Sequence, residues 1–236
     1  MNIKFQNVCA HYKNNKNSVL KNINFEAKKG SWLAIVGPSG SGKTSIINTF
    51  YGDLKISTGS IFIDNQNFLK KSFWNKRKYW KKIGFVSQTN NLIDTDDVYT
   101  NIKREFLFPW ISKKQKEMIH TLLTQFHMFE KIYTRIDELS GGQKQRVELI
   151  KLCLKNKLAI FLDEPTNNLD TKTTNIIFKH LKKWTQKHSI TTIAVMHDLE
   201  AVKEFFDEYI AVVDGEIISS GPVKLLTKKE LNNIYK

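Results

Sequence analysis

The segment Gly-Pro-Ser-Gly-Ser-Gly-Lys-Thr, at residues 37–44, constrains the fold more strongly than any other part of the chain. It fits the pattern G-x-x-x-x-G-K-[ST]. The apolar run Trp32–Val36 precedes it, and a helical pattern from Lys43 to about Phe50 follows it. In a strand, loop and helix of this kind the backbone N–H groups point inward, where they can bind phosphate oxygens. A glycine-rich turn without a ligand is the alternative, and it is disfavoured because every position of the pattern is filled.

Each residue type in this loop has a reason in phosphate chemistry. The glycines let the backbone curl around an anion, and the N-terminus of the helix adds partial positive charge. Lys43 can reach the β- and γ-phosphates of a nucleotide, and the Thr44 hydroxyl can bind Mg²⁺. The residues predicted to bind nucleotide in this loop are Gly37, Pro38, Ser39, Gly40, Ser41, Gly42, Lys43, Thr44 and Ser45.

Two adjacent acids, Asp163 and Glu164, follow the apolar run 158–162. Ligands of parallel sheets collect at the carboxyl ends of the strands. In that place Asp163 would hold Mg²⁺, directly or through water, and Glu164 would act as general base on the attacking water. Adjacent acids can also mark the plain start of a loop, but the phosphate loop in the same chain favours the functional interpretation.

The periodicity of the apolar residues predicts an α/β fold. Strand patterns occur near residues 3–8, 23–27, 32–36, 60–64, 83–87, 158–162 and 190–196. Helical patterns occur at about residues 43–50, 91–157 and 171–184. This alternation predicts a parallel sheet with helices on both faces. Residues 209–218, with Asp214-Gly215 at their middle, predict a hairpin.

The size and composition of the chain fit one compact unit. It has 236 residues, of which 41% are hydrophobic. The longest apolar runs are strand-sized, and a membrane helix needs about 20 residues, so we expect the chain not to span a membrane. The first residues have no apolar stretch after the basic residue, which argues against a secretory signal. Two cysteines, Cys9 and Cys153, are typical of a reducing cytosol.

The formal net charge of +14 is the one unusual bulk property. It indicates either a nucleic-acid partner, an anionic membrane surface nearby, or a general abundance of lysine on solvated faces. The basic and aromatic segment at residues 69–85 is the strongest candidate for a nucleic-acid or membrane contact. The simpler expectation for it is a solvated helix with buried rings.

A second glycine-rich turn, Leu139-Ser140-Gly141-Gly142-Gln143, begins a helical pattern but has no lysine of the phosphate-loop type. The phosphate loop, this LSGGQ turn and the FLDEP segment, in this order, resemble the ATP-binding cassette (ABC) ATPases, the motor subunits of ABC transporters. The resemblance covers nearly the whole chain. It implies a RecA-like P-loop NTPase core with a parallel sheet, an N-terminal antiparallel β part and an inserted helical subdomain. In a single domain of residues 1–236, the core would comprise 1–88 and about 151–236, and the helical subdomain about 89–150.

The resemblance also explains why the chain carries a second phosphate-binding turn. In that family the signature faces the nucleotide of a second subunit, and two cassettes close head-to-tail around two ATP molecules. We therefore expect a dimer, of identical chains, in which the signature contacts the opposing nucleotide. The chemistry agrees, because Ser140 and the N–H groups of Gly141 and Gly142 can bind a γ-phosphate. The signature residues are Leu139, Ser140, Gly141, Gly142 and Gln143.

Three further residues match positions of the family that contact the nucleotide. Tyr12 stands where the adenine-stacking aromatic occurs, with simple packing as the alternative. Gln88 matches the glutamine that contacts Mg²⁺ and the lytic water, and His197 matches the histidine that contacts the γ-phosphate. The resemblance thus implies the catalytic residues Glu164, His197, Gln88 and Lys43. It implies the metal ligands Thr44, Gln88 and Asp163.

The loop that crosses the dimer interface in the family matches residues 167–170. Asp170 is the interface residue that the resemblance implies. Asn167 and Asn168 replace the small residues that are usual there. How this loop tunes the communication between the two subunits is therefore left open.

The function implied by the resemblance is hydrolysis of ATP with Mg²⁺, coupled to transport. The expected partners are integral-membrane permease subunits, a second cassette and, through the permease, an extracytoplasmic solute-binding protein. The chain would be cytoplasmic and peripheral on the inner face of the cell membrane. Residues 77–94 and 137–147 look most like phosphonate-type importers, which favours uptake of a small solute.

Alternative functions within the family are an export-type cassette and an ATPase that acts on ribosomes or nucleic acid. The latter is disfavoured because the chain has neither a second cassette nor a long coiled-coil insertion. An apolar cluster in the predicted helical subdomain is either the docking surface for the permease or part of the core of that subdomain. The cluster consists of Phe106, Phe108, Pro109 and Trp110.

Overall fold

The structure is a computed structural model, and it describes residues 1–13, 17–51, 54–87, 91–106, 110–167 and 169–235. The strands are β1 (Ile3–Tyr12), β2 (Leu20–Ala27), β3 (Trp32–Val36), β4 (Leu54–Ile63), β5 (Gln66–Asn67), β6 (Ile83–Val86), β7 (Ala159–Asp163), β8 (Thr191–Val195), β9 (Glu208–Val213) and β10 (Glu216–Pro222). The helices are α1 (Lys43–Asn48), α2 (Phe73–Lys82), α3 (Val98–Lys103), α4 (Lys113–Gln125), α5 (Gly141–Cys153), α6 (Thr171–Lys187), α7 (Leu199–Phe205) and α8 (Lys228–Ile234).

Two sheets organise these elements. The N-terminal sheet is antiparallel and has the strand order β2-β1-β4-β5. The central sheet has the order β10-β9-β3-β8-β7-β6. The pairs of β3 with β8 and β9, of β8 with β7, and of β7 with β6 are parallel, and β10 closes one edge antiparallel to β9. The parallel sheet predicted from the sequence is therefore present, and so is the antiparallel N-terminal part.

The central strands are buried on both faces, which is why they are continuous apolar runs rather than alternating ones. Successive side chains of a strand point to opposite faces. One face packs in a core with α4, α5, α6 and α7, and it includes Trp32, Ala34, Ile160, Leu162 and Ala194. The other face packs in a second core with α1 and the antiparallel sheet, and it includes Leu33, Ile35, Phe161, Ile193 and Ile210. Helices thus lie on both faces, as predicted, but the antiparallel sheet shares one face with them.

The hairpin predicted around Asp214-Gly215 is formed by β9 and β10. Both turn residues have positive φ angles, 48° at Asp214 and 80° at Gly215, which suits the right-handed twist of a two-residue hairpin. The first helix ends at Asn48, two residues before the predicted end, and Gly52 lies outside the described residues. The division into a core and a helical subdomain at residues 89 and 150 stays a prediction.

Two aromatic segments differ from the simple expectation. In α2, Tyr79 and Trp80 pack against the second core, as buried rings should, but Phe73 and Trp74 are exposed. In the apolar cluster that precedes α4, Phe106 packs against the first core and Trp110 is 88% exposed. Phe108 and Pro109 lie outside the described residues, so the choice between docking surface and core stays open. None of the helices in the described ranges is long and apolar enough to cross a membrane.

Candidate active site

The phosphate loop joins the carboxyl end of β3 to the start of α1, in the middle of the central sheet. Gly37 and Gly42 have φ angles of 145° and 101°, which L side chains rarely adopt. A Cβ atom on Gly37 would lie 2.1 Å from the carbonyl oxygen of Val212 in the neighbouring strand. Position 37, where the loop leaves the sheet, therefore has to be glycine.

Polar groups inside the loop are arranged for an anion. The Ser41 hydroxyl oxygen is buried and has no hydrogen-bond partner within the described chain. An unpaired buried hydroxyl costs free energy, so a ligand oxygen that pairs with it would relieve that cost. Lys43 Nζ donates to the carbonyl oxygens of Gly37 (2.9 Å) and Pro38 (2.7 Å), which holds the ammonium over the loop. An ammonium has three donors, so a phosphate oxygen can still be bound.

The Lys43 side chain is buried, and its surroundings shift the pKa of its ammonium group. Burial lowers its pKa, while the carboxylates of Glu164 and Asp163 act in the opposite direction. Burial disfavours the charged ammonium, so a phosphate oxygen that pairs with it would stabilise its charged form, as the two acids already do in part. The loop therefore provides both hydrogen-bond donors and charge for a polyphosphate.

Asp163 and Thr44 meet at the carboxyl end of β7. Thr44 Oγ1 donates to Asp163 Oδ1 at 3.0 Å, although the two residues are 119 positions apart. Burial raises the pKa of Asp163, and the hydrogen bond from Thr44 lowers it in part. A hydroxyl and a carboxylate in contact, next to a phosphate loop, are the oxygen ligands with which Mg²⁺ binds nucleotides. The described residues hold no cluster of three or more His, Cys, Asp or Glu.

Glu164 lies one residue further on, in an unusual backbone conformation. Its φ angle is 52°, and such left-handed backbone in a residue other than glycine concentrates at functional sites. Glu164 Oε1 lies 2.7 Å from His197 Nε2, and Asn167 Nδ2 donates to Glu164 Oε2. A carboxylate can only accept, so His197 Nε2 carries the hydrogen. The two side chains form a pair whose remaining lone pairs can hold a water molecule.

The backbone of Glu164 is held from two sides. Its N–H donates to the carbonyl oxygen of Val195 in β8, at 3.1 Å. Its carbonyl accepts a bond of 3.0 Å from Gln145 Nε2. Gln145 belongs to α5, the helix that follows the LSGGQ turn. The acid is thus fixed both to the sheet and to the signature helix.

Tyr12 and Tyr235 flank the loop. The Tyr12 hydroxyl lies 3.0 Å from Ser45 Oγ, and the ring is partly exposed beside the start of α1. The N–H of Gly37 donates to the Tyr235 hydroxyl at 3.3 Å. Tyr235 follows α8, whose residue Ile234 is buried in the first core. The first glycine of the loop is therefore held through its N–H by Tyr235 and through its carbonyl by Lys43.

The LSGGQ turn lies at the start of α5 and forms a capping box. The Gln143 N–H donates to Ser140 Oγ (3.3 Å), and the Ser140 N–H donates to Gln143 Oε1 (2.8 Å). Leu139 and Gly142 are buried, whereas Ser140 and Gly141 are exposed. Among the described residues, the hydrogen bonds of the Ser140 side chain stay within its own helix, and none joins the turn to the phosphate loop of the same chain.

Two remaining predicted residues have different outcomes. Asp170 is exposed and caps α6, because its carboxylate accepts from the N–H (2.8 Å) and hydroxyl (2.7 Å) of Thr173. These hydrogen bonds lower the pKa of Asp170. Gln88 lies outside the described residues.

The chain beyond Gln88 is fastened to the signature helix. The N–H of Asn91 donates to Glu148 Oε1 (2.9 Å), and its carbonyl accepts from Lys151 Nζ (3.1 Å). Burial raises the pKa of Glu148, and Lys151 partly offsets this rise. The N–H and the carbonyl of Asn91 are thus both bonded to side chains of α5.

Sequence reasoning missed Gln145, Tyr235 and the clamp on Asn91. Gln145 had a weak signal, because it lies one helical turn before Leu149 on the buried side of α5. Tyr235 had none, since it is 198 positions away from Gly37. The structure brings together the phosphate loop, Thr44 with Asp163, Glu164 with His197, and Tyr12, and the roles of these residues stay predictions.

These features define a P-loop nucleoside-triphosphate-binding protein. The sequence model of the family "ABC transporter" matches residues 20–167. The chain is 34% identical, over 242 residues, to the phosphonates import ATP-binding protein PhnC of Lactobacillus delbrueckii subsp. bulgaricus, covering 99% of this chain and 94% of that protein. It is 32% identical to the phosphonates import ATP-binding protein PhnC 2 of Oceanobacillus iheyensis, over 99% of this chain and 95% of that protein.

The fold is similar to that of the ATP-binding cassette MJ0796, solved as a dimer in a post-hydrolysis state bound to ADP and Pi. The TM-score is 0.81 at 29% identity, and the similarity covers 94% of this chain and 98% of that one. The chain belongs to the ABC transporter family of ATP-binding cassettes. It is the ATP-binding subunit of an ABC transporter, and it hydrolyses ATP in a cycle coupled to transport.

Proposed function

We propose that this chain energises the uptake of a small solute of the phosphonate type. The support is the likeness, at 32–34% identity over 99% of the chain, to two proteins named as phosphonate importers. The observation that supports ATP hydrolysis is the contact of 2.7 Å between Glu164 Oε1 and His197 Nε2. Glu164 comes directly after Asp163, whose carboxylate accepts from Thr44 Oγ1.

Binding of ATP uses the phosphate loop and the ends of two strands. The loop N–H groups and Lys43 hold the β- and γ-phosphates, and the Ser41 hydroxyl gains a partner. Tyr12 stacks on the adenine. Thr44 and Asp163, with Gln88, would hold Mg²⁺, which supplies positive charge to the phosphate oxygens when it is bound.

Hydrolysis requires a base that is fixed and close to the γ-phosphate. Glu164 accepts a proton from the attacking water as the oxygen bonds to the γ-phosphorus and the bond to ADP breaks. His197 orients Glu164 through the contact at 2.7 Å and can donate to a γ-phosphate oxygen after rotation. Lys43 stabilises the charge that develops on the transferred group.

The signature turn acts on the nucleotide of a second copy of the chain. Ser140 and Gly141 are exposed at the start of a 13-residue helix, where N–H groups and the helix dipole favour an anion. Asp170, exposed at the start of α6, lies in the segment that would meet the partner copy. Gln145 connects the two half-sites, because it joins the signature helix to the Glu164 carbonyl.

The partners and the location follow from this role. As the ATP-binding subunit of an ABC transporter, the chain acts on an integral-membrane permease, which receives substrate from an extracytoplasmic binding protein. The chain is then cytoplasmic and peripheral on the inner face of the cell membrane. Nucleic acid is not an expected partner.

Uptake of a labelled phosphonate tests the substrate half of the proposal. Cells in which the only copy of this chain carries Glu164→Gln should lose the uptake, and the wild-type chain should restore it. Uptake of an amino acid should be equal in the two strains and serves as the control. Equal phosphonate uptake in both strains would overturn the proposed substrate class. Loss of the export of another solute in the Glu164→Gln strain would point to an export-type cassette.

A further inference from the structure

The helix α2 (Phe73–Lys82) presents a continuous basic face around one exposed tryptophan. At 100° per residue, Trp74, Arg77, Lys78, Lys81 and Lys82 fall within one side of the helix. All five are exposed, and the Trp74 side chain is 69% exposed. We call these five residues the α2 basic face.

The opposite side of α2 is anchored, which fixes the direction of the basic face. Trp80 Nε1 donates to the Phe50 carbonyl oxygen (2.7 Å), and the Tyr79 hydroxyl donates to Gln66 Oε1 (3.0 Å). Both rings also pack against the second core. Since these two residues hold the helix to the protein, the α2 basic face points away from it.

The surface around the α2 basic face carries an excess of positive charge, although Asp64 lines a cavity together with Lys78 and Lys82. The stretch between Asp64 and Asp94 contains no acidic residue. It contains seven cations, Lys70, Lys71, Lys76, Arg77, Lys78, Lys81 and Lys82. Among the ion pairs of the described residues, none involves the α2 basic face. Such a surface attracts anions over a distance of about a Debye length, roughly 8 Å at physiological salt.

We propose that the α2 basic face binds the anionic phospholipid headgroups of the membrane surface. Polybasic helices with an exposed tryptophan lie in the headgroup region, because the indole is apolar and still hydrogen-bonds at the wet boundary. A subunit of a membrane transporter also works next to such a surface, whatever solute is carried.

Nucleic acid is the competing anion, and the ring geometry disfavours it. Binders of single strands present ring faces along a groove, where successive bases stack. Here Phe73 and Trp74 meet edge-to-face, with an interplanar angle of 76° and centroids 5.9 Å apart, so they do not form a stacking platform. The basic residues surround Trp74 on one side of the helix instead.

Vesicle sedimentation of the full chain without nucleotide tests the proposal. The chain should bind vesicles of phosphatidylglycerol mixed with phosphatidylcholine, and it should not bind phosphatidylcholine alone. Each Lys or Arg near an anionic surface contributes about fivefold in partitioning (about 1 kcal/mol). The fourfold variant Arg77→Gln, Lys78→Gln, Lys81→Gln, Lys82→Gln should therefore lose binding by a factor on the order of 100 or more.

The matched control removes four charges from another helix. The variant Lys172→Gln, Lys179→Gln, Lys183→Gln, Lys187→Gln has the same net charge, and all four lysines are exposed on α6. It should bind the anionic vesicles far better than the α2 variant. Equal loss in the two variants would overturn the proposal, because it would mean that only total charge matters.

Tryptophan emission provides a second readout. A blue shift on vesicle binding should persist in Trp110→Phe, whose ring is also exposed, and disappear in Trp74→Phe. A persistent shift in Trp74→Phe would contradict the assignment. Tighter binding to a single-stranded oligonucleotide than to the anionic vesicles, lost in the α2 variant, would reassign the surface to nucleic acid. The assay uses neither ATP nor solute, so its failure is independent of the proposed transport function.

Discussion

Replacement of Glu164 by Gln removes the basicity of one side chain and keeps its size. In the structure, one carboxylate oxygen lies 2.7 Å from His197 Nε2 and the other accepts from Asn167 Nδ2. The amide keeps an acceptor for one of these donors. The free energy of unfolding should therefore fall by no more than about 3 kcal/mol, the upper end for one hydrogen bond to a charged group.

The effect on the rate should be much larger. A positioned general base typically contributes about 10²- to 10⁴-fold. This corresponds to about 2.7–5.5 kcal/mol in the activation free energy. The affinity for ATP should change by less than about tenfold, or about 1.4 kcal/mol, because the variant leaves the phosphate loop and Lys43 intact.

The assay is release of phosphate in a single turnover, with the protein in excess over Mg²⁺-ATP, and the dissociation constant is measured with a fluorescent ATP analogue. Glu117→Gln, on the exposed side of α4, is the matched control and should behave as wild type. The double variant with His197→Ala should be about as slow as Glu164→Gln alone, since the two residues act as one unit. Turnover of Glu164→Gln at the wild-type rate would refute the base role.

Three further predictions address the signature, the loop and the clamp. Ser140→Arg should leave ATP binding by the monomer intact and block ATP-dependent dimerisation, and normal dimerisation in light scattering would refute the role in trans. Tyr235→Phe deletes the acceptor for the Gly37 N–H, so it should weaken ATP binding about two- to tenfold. The control Tyr133→Phe, at an exposed ring, should leave ATP binding unchanged. An unchanged dissociation constant in Tyr235→Phe would remove Tyr235 from this role. Burial raises the pKa of Glu148, so the folded state holds its proton more tightly and the charged form costs stability above that pKa. In urea unfolding at neutral pH, Glu148→Gln should therefore have a higher free energy of unfolding than the wild type. This difference should disappear as the pH falls through the raised pKa of Glu148. A difference that does not depend on pH would contradict the argument.

The sequence was most informative where one residue type is required by backbone geometry. The positive φ angles at Gly37 and Gly42, and at Asp214 and Gly215, occur where the loop and hairpin patterns predicted them. The buried strands β3, β7 and β8 were equally clear, because strands covered on both faces are continuous apolar runs. Local patterns thus fixed the centre of the fold and the loop of the candidate site.

Contacts between distant residues were beyond the reach of the patterns. The bond from Gly37 to the Tyr235 hydroxyl depends on how α8 packs, and no period in the sequence encodes it. The same holds for Gln145, whose amide reaches the Glu164 carbonyl only once α5 is docked on the sheet. In α2 the helix was predicted, but the choice of which rings are buried depended on the position of the antiparallel sheet.

The most direct test of the central claim is an affinity pull-down of this chain from gently solubilised native membranes, with mass spectrometry of the proteins that accompany it. We expect recovery of a multi-span permease together with a solute-binding protein, and release of both by a competing excess of the untagged chain. Recovery of ribosomal proteins or nucleic acid without any permease would contradict the account.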